Sequence, residues 1–144
     1  MFRRSLWKCL PLLVLVLCLL AGAASAKTVK VTNKTTNKIY IAFCYKDARA
    51  DDWIVRGWFN VDGLGATSIN LNTNNSIIYF LGTSGKARWG GRKGSSDALA
   101  LPVVGDKFMY KHKKEKPRGS NYRTEYFKKR QSSNDGVFYI NFSD

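Results

Sequence analysis

Apolar and polar residues alternate along most of this chain in short runs, separated by clusters of Gly, Asn, Asp and Ser. A two-residue period belongs to strands, whose successive side chains point to opposite faces. No stretch of roughly a dozen residues carries the 3.6-residue stripe of an amphipathic helix. The pattern therefore predicts an all-β fold: a small antiparallel β-sandwich or flattened barrel of seven to nine strands.

Val29 and Val31 alternate with Thr28, Lys30 and Thr32, which predicts a half-buried first strand, and Asn33 to Asn37 then supplies turn chemistry for a hairpin. From Lys38 to Lys46 both faces are apolar. Ile39, Ile41, Phe43 and Tyr45 share one face, and Tyr40, Ala42 and Cys44 the other, as in a central strand. Ile77, Tyr79 and Leu81 against Ile78 and Phe80 repeat that pattern. Ile69 with Leu71, and Phe138 with Ile140 and Phe142, mark strands buried on one face. These positions form the predicted core. Asp62-Gly63 and Gly65 break the chain between a strand holding Trp58 and the Ile69 strand. Pro102 restricts Ala98 to Val104 to an edge or irregular strand, because it cannot donate to a ladder.

The first 26 residues depart from this alternation. Arg3, Arg4 and Lys8 precede an apolar run from Leu10 to Leu20, and Ala24-Ser25-Ala26 follows. This is the order of a secretory signal peptide, with cleavage expected after Ala26 and an uncleaved N-terminal anchor as the alternative. The run is shorter than the roughly 20 residues that a membrane-spanning helix needs, so the exported product is not expected to be an integral membrane protein. Cys9 and Cys18 would leave with the signal. Residues 27–144 form one expected domain, periplasmic or secreted, whose single cysteine, Cys44, excludes an internal disulfide. It reads as a buried, inert thiol.

Charge adds the main clue to partners. The chain carries a net +14; three of its 24 Lys and Arg and none of its 10 acids precede Lys27, which leaves +11 on residues 27–144. Such a balance favours a polyanion or an anionic envelope component: lipopolysaccharide, acidic glycan or nucleic acid. It also serves plain solubility. Ten Lys or Arg lie between Lys107 and Arg130, with Tyr110 and Tyr122 among the aromatics between them, and the segment reads as a basic hairpin over 107–130. Lys107, Met109 and Lys111 share one face of its first strand, and Phe108, Tyr110 and His112 the other. Lys111, Lys113, Lys114, Lys116 and Arg118 are the candidate phosphate or sulfate contacts, and Tyr110 and Tyr122 candidate stacking surfaces. The competing reading is a solvated edge that resists strand-to-strand association, with the aromatics in the core.

Trp53, with Trp58 and Trp89 beside glycines, forms a candidate rim for a ligand or a protein partner, against a packing role. Arg56 and Trp58 have the parity of a cation–indole pair. Gly82-Thr83-Ser84-Gly85-Lys86 lacks the first glycine and the following helix of a phosphate loop, and is a turn. His112 is the single candidate base for a Ser/His/Asp or Cys/His set and falls in a charged strand expected to be exposed, which disfavours a nucleophilic triad; one His and one remaining Cys are too few for a structural zinc site, so neither metal nor cofactor is implied. Asp47, Asp51, Asp52 and Asp62 are the acids from which a glycosidase-like pair would be drawn, but beside Lys46, Arg49 and Arg56 they read as turn and surface residues. The expectation is a non-enzymatic binding domain, with a protein-interaction module at a strand edge and the Trp rim as the alternative.

At Asn33-Lys34-Thr35, Ile39 to Tyr45, Gly57-Trp58-Phe59 and Trp89-Gly90 the chain resembles an exported bacterial family, domain of unknown function ten thirty-six. The family pattern runs from an Asn-Lys-Thr turn through an apolar strand to Gly-Trp-Trp, a Pro-Gly turn, a Tyr-rich strand and a late Trp-Gly. The resemblance covers roughly Val29 to Val104. Phe59 replaces the second Trp, Gly63-Leu64-Gly65 replaces Pro-Gly, and the family's frequent paired cysteines are absent. It implies a secreted Gram-negative protein with a compact β domain, and brings no catalytic residues.

Overall fold

The computed structural model describes residues 26–85 and 87–144; residues 1–25, which hold nearly all of the expected signal segment, lie outside the described residues. Ten strands follow one another: β1 (Lys27–Asn33), β2 (Ile39–Asp47), β3 (Asp52–Val61), β4 (Ala66–Leu71), β5 (Ile77–Ser84), β6 (Ala87–Trp89), β7 (Ala98–Val103), β8 (Phe108–Lys111), β9 (Arg123–Gln131) and β10 (Phe138–Phe142). The described chain is all-β. The count exceeds the expected seven to nine because β6, three residues long, is too short to show a period.

A three-stranded sheet has the order β10-β1-β4. A curled seven-stranded sheet has the order β7-β9-β5-β2-β3-β8, with β6 on the end of β5. The sheets are antiparallel throughout except that β1 runs parallel to β10, with Val29 opposite Phe138 and Val31 opposite Ile140.

The hairpin expected at Asn33 to Asn37 does not form. β1 pairs with β4 and β10, while β2 lies in the other sheet. Asn33, fully buried, explains why this polar turn crosses between layers. Its Nδ2 donates to the carbonyls of Asn37 (2.7 Å) and Asp62 (3.0 Å), and its Oδ1 accepts from the Thr35 amide (2.9 Å) and hydroxyl (2.8 Å). The Leu64 amide donates to the Thr35 carbonyl, so the second crossing turn, between β3 and β4, docks on the first. Gly63 allows the contact, since a Cβ there would stand 2.1 Å from the Thr36 carbonyl oxygen.

The β2 strand is buried on both faces, as its sequence predicts, and so belongs to two cores. Ile39, Ile41, Phe43 and Tyr45 join Ile78, Phe80, Val29, Val31, Ile69, Leu71, Phe138, Ile140 and Phe142 between the sheets. Ala42 and Cys44 join Val55, Leu81, Leu101, Val103, Phe108, Tyr110 and Phe127 inside the curl. Burial there pushes the Cys44 thiol up to about 12, which leaves it protonated and unreactive. Tyr40, expected beside Ala42 and Cys44, is instead 46% exposed, because the curled interior stops at Ala42 on this strand.

The segment 107–130 is not a hairpin. β8 pairs with β3, and β9 pairs with β5 and β7, so the two strands lie at different places in the sheet. A strand joins whichever neighbour buries its apolar face, and Phe108 and Tyr110 fit beside Val55 and Gly57. The curl brings the edges β7 and β8 together without a ladder. Two side chains bridge the seam: the Tyr110 hydroxyl donates to the Pro102 carbonyl (2.7 Å), and the Trp58 indole N–H to the Val104 carbonyl (2.9 Å).

A β-bulge explains where Trp58 points. Ile41 opposes Phe59 and Phe43 opposes Arg56, so Gly57 and Trp58 together face Ala42. The extra residue keeps Trp58 on the curled side and returns Phe59 to the sandwich side. Arg56 therefore lies over Phe59 (5.0 Å), and Arg123 is the cation over Trp58 (5.8 Å), in place of the expected Arg56–Trp58 pair.

Candidate ligand cleft at the open end of the curl

The curled interior is built in layers two residues apart. One step beyond Val55, Leu81 and Leu101 the same strands present Trp53, Tyr79 and Leu99, each half-buried against the second core. One step beyond Tyr110 comes His112. These four line a cleft of about 300 Å³ with Asp52, Lys113 and Lys114. Trp53 and Tyr79 meet edge to face with centroids 6.0 Å apart, and so form an apolar corner. Lys46 opposes Trp53 and Lys129 opposes Tyr79 across the strand pairs, and directly opposed residues share a face. Of four lysines near this floor, Lys113 and Lys114 line it, and Lys46 and Lys129 lie across the strand pairs from Trp53 and Tyr79.

Two of them are neutralised. The Lys114 ammonium donates to Asp52 Oδ2 at 2.6 Å, and Lys46 lies 3.6 Å from Asp51. The Lys114 hydrogen bond holds the Asp52 carboxyl below the usual carboxylate range. Among the described residues neither Lys113 nor Lys129 makes an ion pair. Partial burial, then the Lys113 charge, lowers the His112 pKa, with Asp52 opposing, so the imidazole is neutral near pH 7.

The turn that carries the lysines is set by backbone bonds. The His112 amide donates to the Trp53 carbonyl, extending the β3–β8 ladder by one pair. Lys113 adopts a left-handed conformation (φ 65°), and the Lys114 and Glu115 amides both donate to the Lys111 carbonyl. Glu115 Oε1 accepts from the Lys111 amide at 2.9 Å. The alternation of the ladder points the Lys111 amide and carbonyl away from β3, so Glu115 occupies the outward edge there.

Of the residues singled out from sequence, Lys113, Lys114 and Trp53 come together in this cleft. Lys111 lies on the opposite face of β8, and Lys116, Arg118 and Tyr122 are exposed on the loop beyond it, where the hairpin would have placed them all in one tip. Tyr110 is buried at the seam, and burial raises its phenol pKa. Trp58 packs on Phe108, with rings 5.7 Å apart, and borders a second hollow with Arg56, Lys107 and Met109. Trp89 packs on Phe142 and donates to the Ser143 carbonyl. These two indoles hold the fold together. Tyr79, Leu99 and Lys129 were missed by the sequence reading; their signal is the two-residue step beyond core positions, visible only once strand pairing is known.

Asp47 and Asp52 oppose each other across the β2–β3 pair, with Asp51 in the turn between them, and each is engaged: Asp51 with Lys46 and Asp52 with Lys114. Asp47 accepts from the Arg49 and Ala50 amides, and Asp62 pairs with Lys38. Among the described residues no cluster of three His, Cys, Asp or Glu side chains gathers to hold a metal ion, and no helix is long and apolar enough to cross a membrane. No family model, curated protein or solved structure matches the chain.

Proposed function

We propose that this chain is a non-enzymatic, exported β domain of the periplasm or secreted fraction that binds an anionic partner at the Trp53 end of its curled sheet. The observation that carries the reading is the pair Lys113 and Lys129, without carboxylate partners among the described residues, beside the apolar corner of Trp53, Tyr79 and Leu99. Export rests on the leading sequence, and kinship with domain of unknown function ten thirty-six on the motifs quoted above; the net charge agrees with an anionic partner. The ion pairs of Asp51, Asp52 and Asp62 and the turn bonds of Asp47 favour binding over a carboxylate-pair hydrolysis. A protein partner at a strand edge has less support, because Glu115 takes the outward groups of Lys111, Pro102 has no N–H, and Tyr110 takes the Pro102 carbonyl.

The test is binding of the purified protein to heparin, single-stranded DNA and lipopolysaccharide across a salt series, beside a variant with Lys113, Lys114 and Lys129 changed to Ser. Binding that weakens with salt, with a shallower slope in the variant, is expected, since each lost phosphate contact removes about 0.7 to 0.9 from the slope on nucleic acid. Equal binding by the variant would move the site elsewhere. No binding of any anion at low salt would leave the charge as solvation alone.

A further inference from the structure

We propose that the cleft takes a small amphipathic anion: one sulfate, phosphate or carboxylate group on an apolar body about the size of a ring or short chain. This rests on the anion-binding reading above and narrows it.

Size comes first. A cleft of about 300 Å³ lies at the small end of the range for small-molecule sites, and a polymer would have to cross it rather than enter. Lys116 and Arg118, the cations that would extend a track along a polymer, are not among the residues lining it. The floor comes next. Trp53, Tyr79 and Leu99 come from β3, β5 and β7, so the apolar surface is fixed by three strands and needs no rearrangement to receive a ligand. Rigid aromatic surface of this kind rewards an apolar body with little ordering cost.

The polar atoms then select the headgroup. Lys113 and the imidazole N–H of His112 are donors in the lining, and Lys129, outside it, lies across the strand pair from Tyr79 on the same face. Asp52, the only carboxylate lining the cleft among the described residues, already accepts from the Lys114 ammonium and from the Trp53 amide. A sugar or other polyol needs acceptors as well as donors, and this rim offers donors in excess. A neutral apolar molecule would leave the lysines without a counter-charge. A group with several acceptor oxygens and a negative charge satisfies the rim, while its apolar remainder covers the floor.

The experiment is titration of the purified full chain with 1-naphthalenesulfonate, octyl sulfate below its micelle concentration, 2-naphthalenemethanol, inorganic sulfate and a heparin oligosaccharide, read by calorimetry and Trp fluorescence. Variants are Lys113→Asn, chosen because Asn tolerates the left-handed backbone at this position, Lys129→Gln, Leu99→Gln, and Lys116→Gln with Arg118→Gln as a control pair. At least one of the two amphiphiles should bind about tenfold more tightly than both the alcohol and free sulfate, the equivalent of one charge-assisted contact. Lys113→Asn, Lys129→Gln and Leu99→Gln should each weaken it several-fold, and the control pair by less than twofold. Preference for the naphthyl or the octyl body then identifies the ligand as ring-bearing or chain-bearing. If the alcohol binds as well as the sulfonate, the anionic half of the inference fails. If heparin binds through Lys113 and Lys129 while neither amphiphile binds, this inference falls and the broader anion-binding reading stands; if it binds through Lys116 and Arg118, both fall. If nothing binds, both fall.

Discussion

On one face of the seven-stranded sheet Phe43, Ile78 and Phe80 meet a second sheet; on the other, Val55, Leu81 and Phe127 meet strands of their own sheet. The first face has a separate layer above it, with Phe138, Ile140 and Phe142 supplying the cover. The second is covered only by curvature, which draws β7 and β8 together but leaves the ends of the curl uncapped. The seam is closed by two side chains, Tyr110 and Trp58, and the uncapped end beside Trp53 is where apolar and cationic groups meet. The larger buried core lies on the sandwich side, and the proposed binding chemistry on the curled side.

Removing the sandwich cover should cost most. Phe142 is fully buried, packs against Phe80 and Trp89, and lies beneath Gly82, where an added Cβ would meet its ring at 2.4 Å. Phe142→Ala is expected to lose about 3–5 kcal/mol in urea unfolding. A loss near 1 kcal/mol would mean that the three-stranded sheet contributes little and that the curl alone carries the fold.

Next is the corner that holds the two layers in register. Asn33→Ala strips two carbonyls and the Thr35 amide and hydroxyl of a buried partner, and should cost on the order of 3 kcal/mol. Asn33→Asp keeps the acceptor but removes the donors, and should be no better tolerated. A mild effect would show that water replaces the amide, and that the crossing turns are held by their backbone bonds.

That corner also shows what a sequence conceals. Local alternation made the strands at Val29, Ile39, Ile77 and Phe138 legible, and with them the two-faced β2 and most of the core, because a two-residue period is a property of the strand itself. Pairing is not local. Asn33 to Asn37 has the composition of a hairpin turn, yet its amide reaches residues nearly thirty positions on; Phe108 to Lys111 reads as half of a hairpin with β9, yet lies beside β3. The bulge at Gly57-Trp58 reverses the parity on which the Arg56–Trp58 expectation stood. For the site, charge and Trp content pointed to Lys113, Lys114 and Trp53. Tyr79, Leu99 and Lys129 required the curl, which brings β3, β5, β7, β9 and the end of β8 to one place.

The seam should respond less than the sandwich. Tyr110→Phe keeps the ring inside the curl and removes only the bond to the Pro102 carbonyl, so about 1 kcal/mol is expected in urea unfolding. Trp58→Phe should add to it almost independently if each bond closes its own part of the seam, and a double-mutant cycle measures that directly. Strong coupling would make the seam one unit; no loss in either variant would mean that curvature, not the two bonds, holds β7 against β8.

The smallest expected change lies at the uncapped end, and it has opposite signs for folding and for binding. His112 packs between Asp52 on β3 and the Lys113-Lys114 turn, and burial, then Lys113, lowers its pKa below the ordinary 6.5 while Asp52 opposes. The unfolded chain therefore takes up this proton first as pH falls. Its contribution to stability is full above 6.5, and declines as pH falls through 6.5 toward the lower folded value. Asp52 and Asp135, whose pKa values are also lowered, contribute above the ordinary carboxylate value of 3.8 and lose that contribution below it, so their window is separate. Urea unfolding between pH 7.5 and about 5 should show a shallow decline in the native chain that His112→Gln removes. As pH falls through the lowered folded value, protonated His112 adds a positive charge to the cleft rim, so 1-naphthalenesulfonate should bind more tightly there, and His112→Gln should abolish both trends. Retention of both slopes in His112→Gln would assign them to other groups, and retention of the binding slope alone would place the anion away from the imidazole.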